Sequence, residues 1–153
     1  MAHFEDSELP EELWKGLQKH LGYSDEELER FREDPKKVRT ALFMPGPEMR
    51  SSTLVFEVVN SHGCAEGMKV GDKLYFTGCG LLDLKRSSSW CAFAMSHIST
   101  FALIAQNMIL QGLDPNEMYT QFSSCLDCGS EHGWGQVAIK AYVIKENIAG
   151  AGS

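Results

Sequence analysis

The residues best suited to chemistry are the cysteines, together with two histidines in the same part of the chain. They are Cys64, Cys79, Cys91, Cys125, Cys128, His62 and His132. Most of them fall in glycine-rich loops, whereas Cys91 falls where a long apolar helix is predicted to begin. Thiols in loops and at helix starts contribute little to a hydrophobic core. Their positions therefore favour metal binding, nucleophilic catalysis or redox chemistry.

Metal binding by thiolates is the first interpretation. Cys125 and Cys128 have the two-residue gap that lets neighbouring thiolates reach one tetrahedral ion. The second Cys-x-x-Cys pair that usually completes such a site is absent, so the other ligands must come from elsewhere in the fold. The candidates are Cys64, Cys79, Cys91 and His62. The alternative is a set of buried, unreactive thiols, since free cysteine is among the most buried residue types.

Thiol chemistry at Cys91 is the second interpretation. The first turn of the predicted helix offers unpaired N–H groups and the positive end of the helix dipole, which favour a thiolate. Lys85 and Arg86, just upstream, would add to this positive field. A nucleophilic cysteine also needs a base, and His62 or His132 could serve. The alternative is a core position, because Cys91 shares one face of the predicted helix with apolar residues.

The composition excludes several classes of protein. Of the 153 residues, 43% are hydrophobic and 23% are charged, which is typical of a soluble globular chain. A net charge of −7 without any basic stripe argues against nucleic-acid binding. The N-terminus does not resemble a signal peptide, and polar residues interrupt the apolar stretch within residues 90–113. We therefore expect a cytoplasmic protein that binds no membrane, with its odd number of cysteines reduced or metal-bound.

Residues 1–48 are predicted to form a helical appendage. An apolar stripe from Leu13 to Leu21 stops at Gly22, and Ser24 to Glu27 is typical of a capping box. The pair Asp34-Pro35 is taken as the stop of this second helix. Two short helices carry too little apolar surface to fold alone. We expect them to dock on the rest of the chain, on a protein partner or on a second copy of the chain.

Residues 52–147 are predicted to form an α+β core that contains the cysteines. The predicted elements are strands at Thr53–Val59, Lys73–Phe76 and Gln136–Ile144, and one long helix at Trp90–Gln111 capped by Ser87 to Ser89. The order is β-β-α-β, preceded by the two short helices, which predicts a small antiparallel or mixed sheet. Residues 148–153 are rich in glycine and alanine and are expected to be a flexible tail.

Three cysteine-containing segments follow one another across residues 53–144. They are Cys64 to Leu74 (CAEGMKVGDKL), Trp90 to Ala94 (WCAFA) and Cys125 to Asp127 (CLD). This pattern resembles a family of small, functionally uncharacterised proteins that occur largely in anaerobic bacteria and archaea. The resemblance implies that Cys64, Cys91 and Cys125 are the shared thiols, and that Cys79 and Cys128 are peculiar to this chain or its near relatives. The family brings no known activity, so the resemblance indicates a site and not a reaction.

We predict a thiolate site where three loops converge, with zinc or iron held by Cys64, Cys91, Cys125 and Cys128. Such a protein would act as a subunit or accessory factor in anaerobic metabolism. One alternative is a cysteine-dependent enzyme with Cys91 as the nucleophile and His62 as its base. A second alternative is a non-catalytic interaction module, in which the N-terminal helices bind a partner and the cysteines are structural.

Overall fold

The computed structural model describes residues 10–43 and 46–146. The chain divides into two compact units between Gly46 and Pro47. The first unit is helical and the second combines a sheet with helices, so the α+β class predicted from the sequence is confirmed. The predicted flexible tail, residues 148–153, lies outside the described residues.

The first unit contains three helices. They are α1 (Glu11–Leu21), α2 (Asp25–Arg32) and α3 (Pro35–Phe43). The capping box at the start of α2 is confirmed, because the Glu27 N–H donates to Ser24 Oγ (3.3 Å) and the Ser24 N–H donates to the Glu27 carboxylate (2.8 Å). Apolar side chains from all three helices then pack into one cluster. Its buried members are Trp14, Leu28, Val38 and Ala41.

The prediction of only two N-terminal helices is wrong. Helix α2 ends before Asp34-Pro35, as predicted, but the same pair begins a third helix, α3, in which Pro35 is the first residue. A proline is tolerated there because the first N–H groups of a helix have no partner within it. The Asp34 carboxylate also accepts the N–H of Lys36 at 2.9 Å, which caps the new helix.

The second unit is built on a four-stranded antiparallel sheet with the strand order β2-β1-β4-β3. The strands are β1 (Ser52–His62), β2 (Lys73–Thr77), β3 (Phe122–Ser124) and β4 (Gln136–Lys145). The helices are α4 (Pro47–Arg50) and α5 (Ile98–Leu110), with 3₁₀ turns at Ala92–Met95 and Pro115–Glu117. The sequence predicts β1, β2, β4 and the long helix, whereas β3 lies outside every predicted strand.

One face of the sheet packs against α5. Alternate residues of β1 and β4 point to this face, among them Leu54, Phe56 and Ile139, all of which are buried. The ring of Phe101 on α5 contacts Phe56 edge-on, with 5.4 Å between the ring centroids. This helix–sheet interface forms the core of the unit. The loops at one end of it carry Cys64, Cys91, Cys125 and Cys128, whereas Cys79 lies in the turn after β2 at the other end.

The segment Ala92–Leu110 is long and apolar enough to cross a membrane by length and composition alone, with a mean hydropathy of 1.3. In the structure it is not one continuous α-helix, since a 3₁₀ turn precedes α5. Ile98, Phe101 and Ala105 are buried in the same cluster as the sheet residues. We therefore interpret this segment as the core helix that covers the sheet.

A β-bulge interrupts the pairing of β1 with β4. Val58 lies opposite Ile139 and Asn60 lies opposite Ala138, so that Val59 is an extra residue without a partner on β4. Beyond the bulge the ladder continues with Ser61 opposite Val137. The bulge thus sets the direction in which β1 leads into the loop that carries Cys64.

The edge of β2 is covered by residues 82–88, which we call the edge segment. The Asp83 and Ser88 N–H groups donate to carbonyl oxygens of β2, at 2.9 and 2.8 Å. The hydroxyl oxygens of Ser87 and Ser88 accept N–H groups of Tyr75 (3.0 Å) and Lys73 (3.3 Å). These serines therefore cap no helix, and the prediction that they start a helix at Trp90 is wrong.

Candidate thiol cleft

A cleft of about 490 Å³ opens at one end of the sheet unit. Its floor is formed by buried residues, Met68, Ala94 and Val137. Half-buried residues line its middle, and they include Cys64, Trp90, Cys91, Cys125 and Asp127. Exposed residues form its rim, among them Glu66, Phe93 and Trp134. The volume is within the range of small-molecule sites in proteins.

Three of the predicted metal ligands lie in this cleft, each on a different segment. Cys64 begins the turn after β1, and its carbonyl accepts the N–H of Gly67 (3.2 Å). Cys91 precedes the 3₁₀ turn, and its carbonyl accepts the N–H of Ala94 (3.0 Å). Cys125 directly follows β3. All three are half-buried and pack against the same core cluster.

The thiol of Cys125 is held by a backbone group of β4. The Val137 N–H donates to Cys125 Sγ at 3.2 Å, while the Cys125 N–H donates to the Val137 carbonyl at 2.9 Å. In a regular antiparallel pair the Cys125 carbonyl would accept the Val137 N–H. The sulfur takes that position instead, which fixes the side chain toward β4 at the floor of the cleft.

The remaining candidates lie outside the cleft. Cys128 is exposed, and its thiol is 3.9 Å from the Leu126 carbonyl. Cys79 is exposed in the turn after β2, and His62 and His132 are exposed as well. None of these four side chains lines the cleft. The Cys-x-x-Cys pair is thus divided between the cleft and the surface, and the described lining contains no histidine that could act as a base for Cys91.

The thiols are not clustered as ligands of an ion in this conformation. Within residues 10–43 and 46–146, no group of three or more Cys, His, Asp or Glu side chains is close enough to hold a metal. None of the cysteines forms a disulfide. The three thiols of the cleft therefore share one cavity without being bonded to one another.

In the structure, Cys91 does not lie at the start of the long helix that is predicted to activate it. Cys91 precedes a 3₁₀ turn of four residues, and α5 begins separately at Ile98. The Arg86 guanidinium binds the Glu146 carboxylate through two hydrogen bonds, at 2.7 and 2.9 Å, and lies over the Tyr75 ring. The hydrogen bond from Arg86 holds the pKa of Glu146 below its usual range. Arg86 thus serves this ion pair, and it does not line the cleft.

The loop between Cys125 and Gln136 is held in shape by Asp127. The Asp127 carboxylate accepts the N–H groups of Trp134 (3.1 Å) and Gly135 (3.3 Å). The loop is closed further because the Gly129 N–H donates to the Gly135 carbonyl at 3.1 Å. These bonds place Trp134 at the rim of the cleft, where its side chain is 78% exposed. The sequence alone assigns no role to Asp127 or Trp134. The Cys-x-Asp order is the signal by which Asp127 could be found.

Removing the Asp127 carboxylate is expected to loosen this loop. Asp127→Ala leaves two N–H groups without their acceptor, so we expect a loss of about 1–3 kcal/mol in the free energy of unfolding. Asp127→Asn keeps one acceptor oxygen and should lose less. Urea denaturation of both variants measures the difference. Glu131→Ala is the control, since Glu131 is exposed in the same loop and should change stability by less than about 0.5 kcal/mol. Equal stability of Asp127→Ala and the control would contradict this role.

Two glycines bring the loops of the cleft into contact. A Cβ atom on Gly135 would lie 2.2 Å from the His62 carbonyl oxygen and 2.3 Å from that of Gly63. A Cβ atom on Gly63 would lie 2.7 Å from the Trp134 carbonyl oxygen. Such distances are shorter than any van der Waals contact, so only glycine allows this approach. The loop that carries Cys64 and the loop that follows Cys125 are thereby fixed to each other.

A polar atom in the wall of the cleft lacks a partner. The indole nitrogen of Trp90 is buried and has no hydrogen-bond acceptor among the described residues. An unpaired buried donor costs free energy, so such a group calls for an explanation in a folded protein. A water molecule that accepts this N–H in the cleft would supply one.

Comparison of the chain with protein-family models, with curated proteins and with solved structures found no match.

Proposed function

We propose that the cleft binds zinc or iron through the thiolates of Cys64, Cys91 and Cys125. A single observation supports this proposal: three cysteines from segments far apart in the sequence line one cleft at the same half-buried depth. Thiolates are soft ligands that select zinc and iron over the hard cations magnesium and calcium. Cys128 is exposed and does not line the cleft, so the proposal does not depend on it.

The hydrogen bonding of the cleft is also compatible with metal binding. The Val137 N–H already donates to Cys125 Sγ, and hydrogen bonds of this kind orient metal ligands and tune their basicity. The other two thiols lie on the turn after β1 and just before the 3₁₀ turn, outside the strands. Three protein ligands would leave one tetrahedral position open toward the cleft, as in zinc sites that bind a water or a substrate.

The reactivity of these thiols supports a reducing cellular environment for the protein. Half-buried thiolates that are accessible to oxidants oxidise readily, whereas they persist in reducing, oxygen-poor surroundings. Together with the family resemblance, this supports a cytoplasmic protein that acts as a subunit or accessory factor in anaerobic metabolism. The α+β unit would carry the metal site.

Metal analysis tests the proposal. Protein purified without oxygen is expected to contain about one equivalent of zinc or iron, since thiolate sites bind these ions strongly. Cys64→Ser, Cys91→Ser and Cys125→Ser should each lower the metal content several-fold. Cys79→Ser should retain it, because Cys79 lies outside the cleft. A chelator should lower the melting temperature of the wild type.

Metal-free protein whose melting temperature is unchanged by the chelator would overturn the proposal. The alternative would then be thiol chemistry at Cys91. This alternative is favoured because the half-buried Cys91 lines a cleft that is large enough for a small-molecule ligand. In that case Cys91 should be alkylated by iodoacetamide without any chelator. Mass spectrometry of the alkylated peptides distinguishes metal binding from thiol chemistry, because a bound metal would protect Cys91 from alkylation until the metal is removed.

A further inference from the structure

The charged side chains of the cleft are all acidic. Glu66 and Asp127 line it, and no lysine, arginine or histidine is among its described lining residues. The whole chain also carries a net charge of −7. A concave surface lined by one sign of charge concentrates the electrostatic field and raises the local concentration of counter-ions. The cleft therefore disfavours phosphates and carboxylates, and attracts cations.

The two acidic side chains have different surroundings. Asp127 is engaged with the N–H groups of Trp134 and Gly135. Glu66 is exposed at the rim, and among the described residues its carboxylate has neither a hydrogen bond nor an ion pair. Asp127 thus has a role in shaping the loop, whereas the charge of Glu66 is available to a ligand.

Two aromatic side chains line the same cleft as Glu66. Phe93 is 59% exposed and Trp134 is 78% exposed, so both rings are accessible to a ligand. The face of an aromatic ring attracts cations, and tryptophan does so best. The backbone N–H of Trp134 donates to Asp127, so the backbone that carries this ring is fixed before a ligand arrives. Preorganisation of this kind lowers the entropy lost on binding.

We infer that the rim of the cleft binds a small organic cation, an amine or a quaternary ammonium group, between Trp134, Phe93 and Glu66. Its apolar body contacts the rings, its charge faces the carboxylate, and the cleft has room for a compact molecule. The inference does not depend on the metal. A divalent ion held by three thiolates keeps a net negative charge, so an occupied thiol site would still attract a cation.

Titration with tetramethylammonium tests this inference on the full chain. We expect saturable binding by calorimetry and a change in tryptophan fluorescence, since Trp90 and Trp134 line the cleft. The uncharged isostere tert-butanol and the anion acetate should bind at least about tenfold more weakly if cation–π attraction contributes as it does elsewhere. Added salt should weaken the binding of tetramethylammonium because the attraction is partly electrostatic.

Variants of the rim identify the site. Trp134→Ala is expected to weaken tetramethylammonium binding about tenfold and Glu66→Gln a few-fold. Tyr119→Ala is the matched control for the tryptophan, because Tyr119 is 99% exposed and lies outside the cleft. Glu131→Gln is the control for the glutamate. Neither control should change the affinity.

Equal binding of tert-butanol, or undiminished binding by Trp134→Ala, would overturn the inference. Metal content is measured on the same samples before and after a chelator. Cation binding by protein that never contained metal would support the inference while the metal proposal fails. Metal-loaded protein that binds no tetramethylammonium would overturn the inference and support the metal proposal.

Discussion

Gly135→Ala is expected to destabilise the sheet unit by at least about 3 kcal/mol, the upper end of the usual range for overpacking. The added Cβ atom would lie 2.2 Å from the His62 carbonyl oxygen and 2.3 Å from the Gly63 carbonyl oxygen. These are backbone atoms, which cannot turn aside as a flexible side chain does. Relief therefore requires the two loops to separate, and that moves Cys64 away from Cys125. Urea denaturation gives the change in stability.

Gly129→Ala is the matched control for this substitution. Gly129 lies in the same loop and has open space around its Cα, but its φ of 77° is in the left-handed region. Alanine there should cost about 1–2 kcal/mol through backbone conformation alone. If the two variants lose the same stability, contact between the loops does not hold the cleft together. A larger loss at Gly135, accompanied by a lower metal content, supports the close approach as the basis of the site.

Phe56→Ala is expected to cost about 3–5 kcal/mol in the free energy of unfolding. Phe56 is 2% exposed, and its ring contacts those of Phe76 and Phe101, at centroid distances of 5.8 and 5.4 Å. These contacts join β1 to β2 and to α5, so truncation leaves a cavity at the centre of the core. A loss of this size is a large fraction of the total stability of a typical domain. Thermal and urea unfolding of the variant measure it.

Phe122→Ala serves as the control, since the Phe122 side chain on β3 is 66% exposed. Its removal should change stability by no more than about 0.5 kcal/mol. Similar losses for the two phenylalanines would contradict the placement of Phe56 at the centre of the core. Because Phe56 is not a lining residue of the cleft, its variant also shows how far metal and cation binding depend on the stability of the fold.

The main elements of the fold could be predicted because their patterns are long. Gln136 to Lys145 alternates between buried and half-buried side chains along most of β4, which is the signal that a half-buried strand gives. β3 has only three residues, too few for any alternation to be seen. The start of the long helix was predicted wrongly because serine hydroxyls that suit an N-cap are used instead by Tyr75 and Lys73 of β2. Which N–H groups these hydroxyls bind depends on the pairing of segments that are distant in the sequence, and the local sequence does not reveal that pairing.

The site could be predicted only in part. The family resemblance implies that Cys64, Cys91 and Cys125 are the shared thiols, and all three line one cleft in the structure. Their spacing alone does not predict this, because each lies on a different loop and the meeting of the loops depends on sheet topology. Cys128 and His62 were nominated by spacing and by residue type. Neither lines the cleft: Cys128 is exposed in the loop after β3, and His62 is exposed at the end of the β1–β4 ladder.

The bulge at Val59 has a consequence for insertions and deletions in this protein. Because Val59 has no partner on β4, a chain that lacked it would keep every later pair, from Asn60 opposite Ala138 to His62 opposite Gln136. Loss of a residue elsewhere in β1 would instead turn the following side chains to the other face of the sheet. The number of residues between the start of β1 and Cys64 can therefore change by one at this position without changing the strand pairing that leads to the thiol.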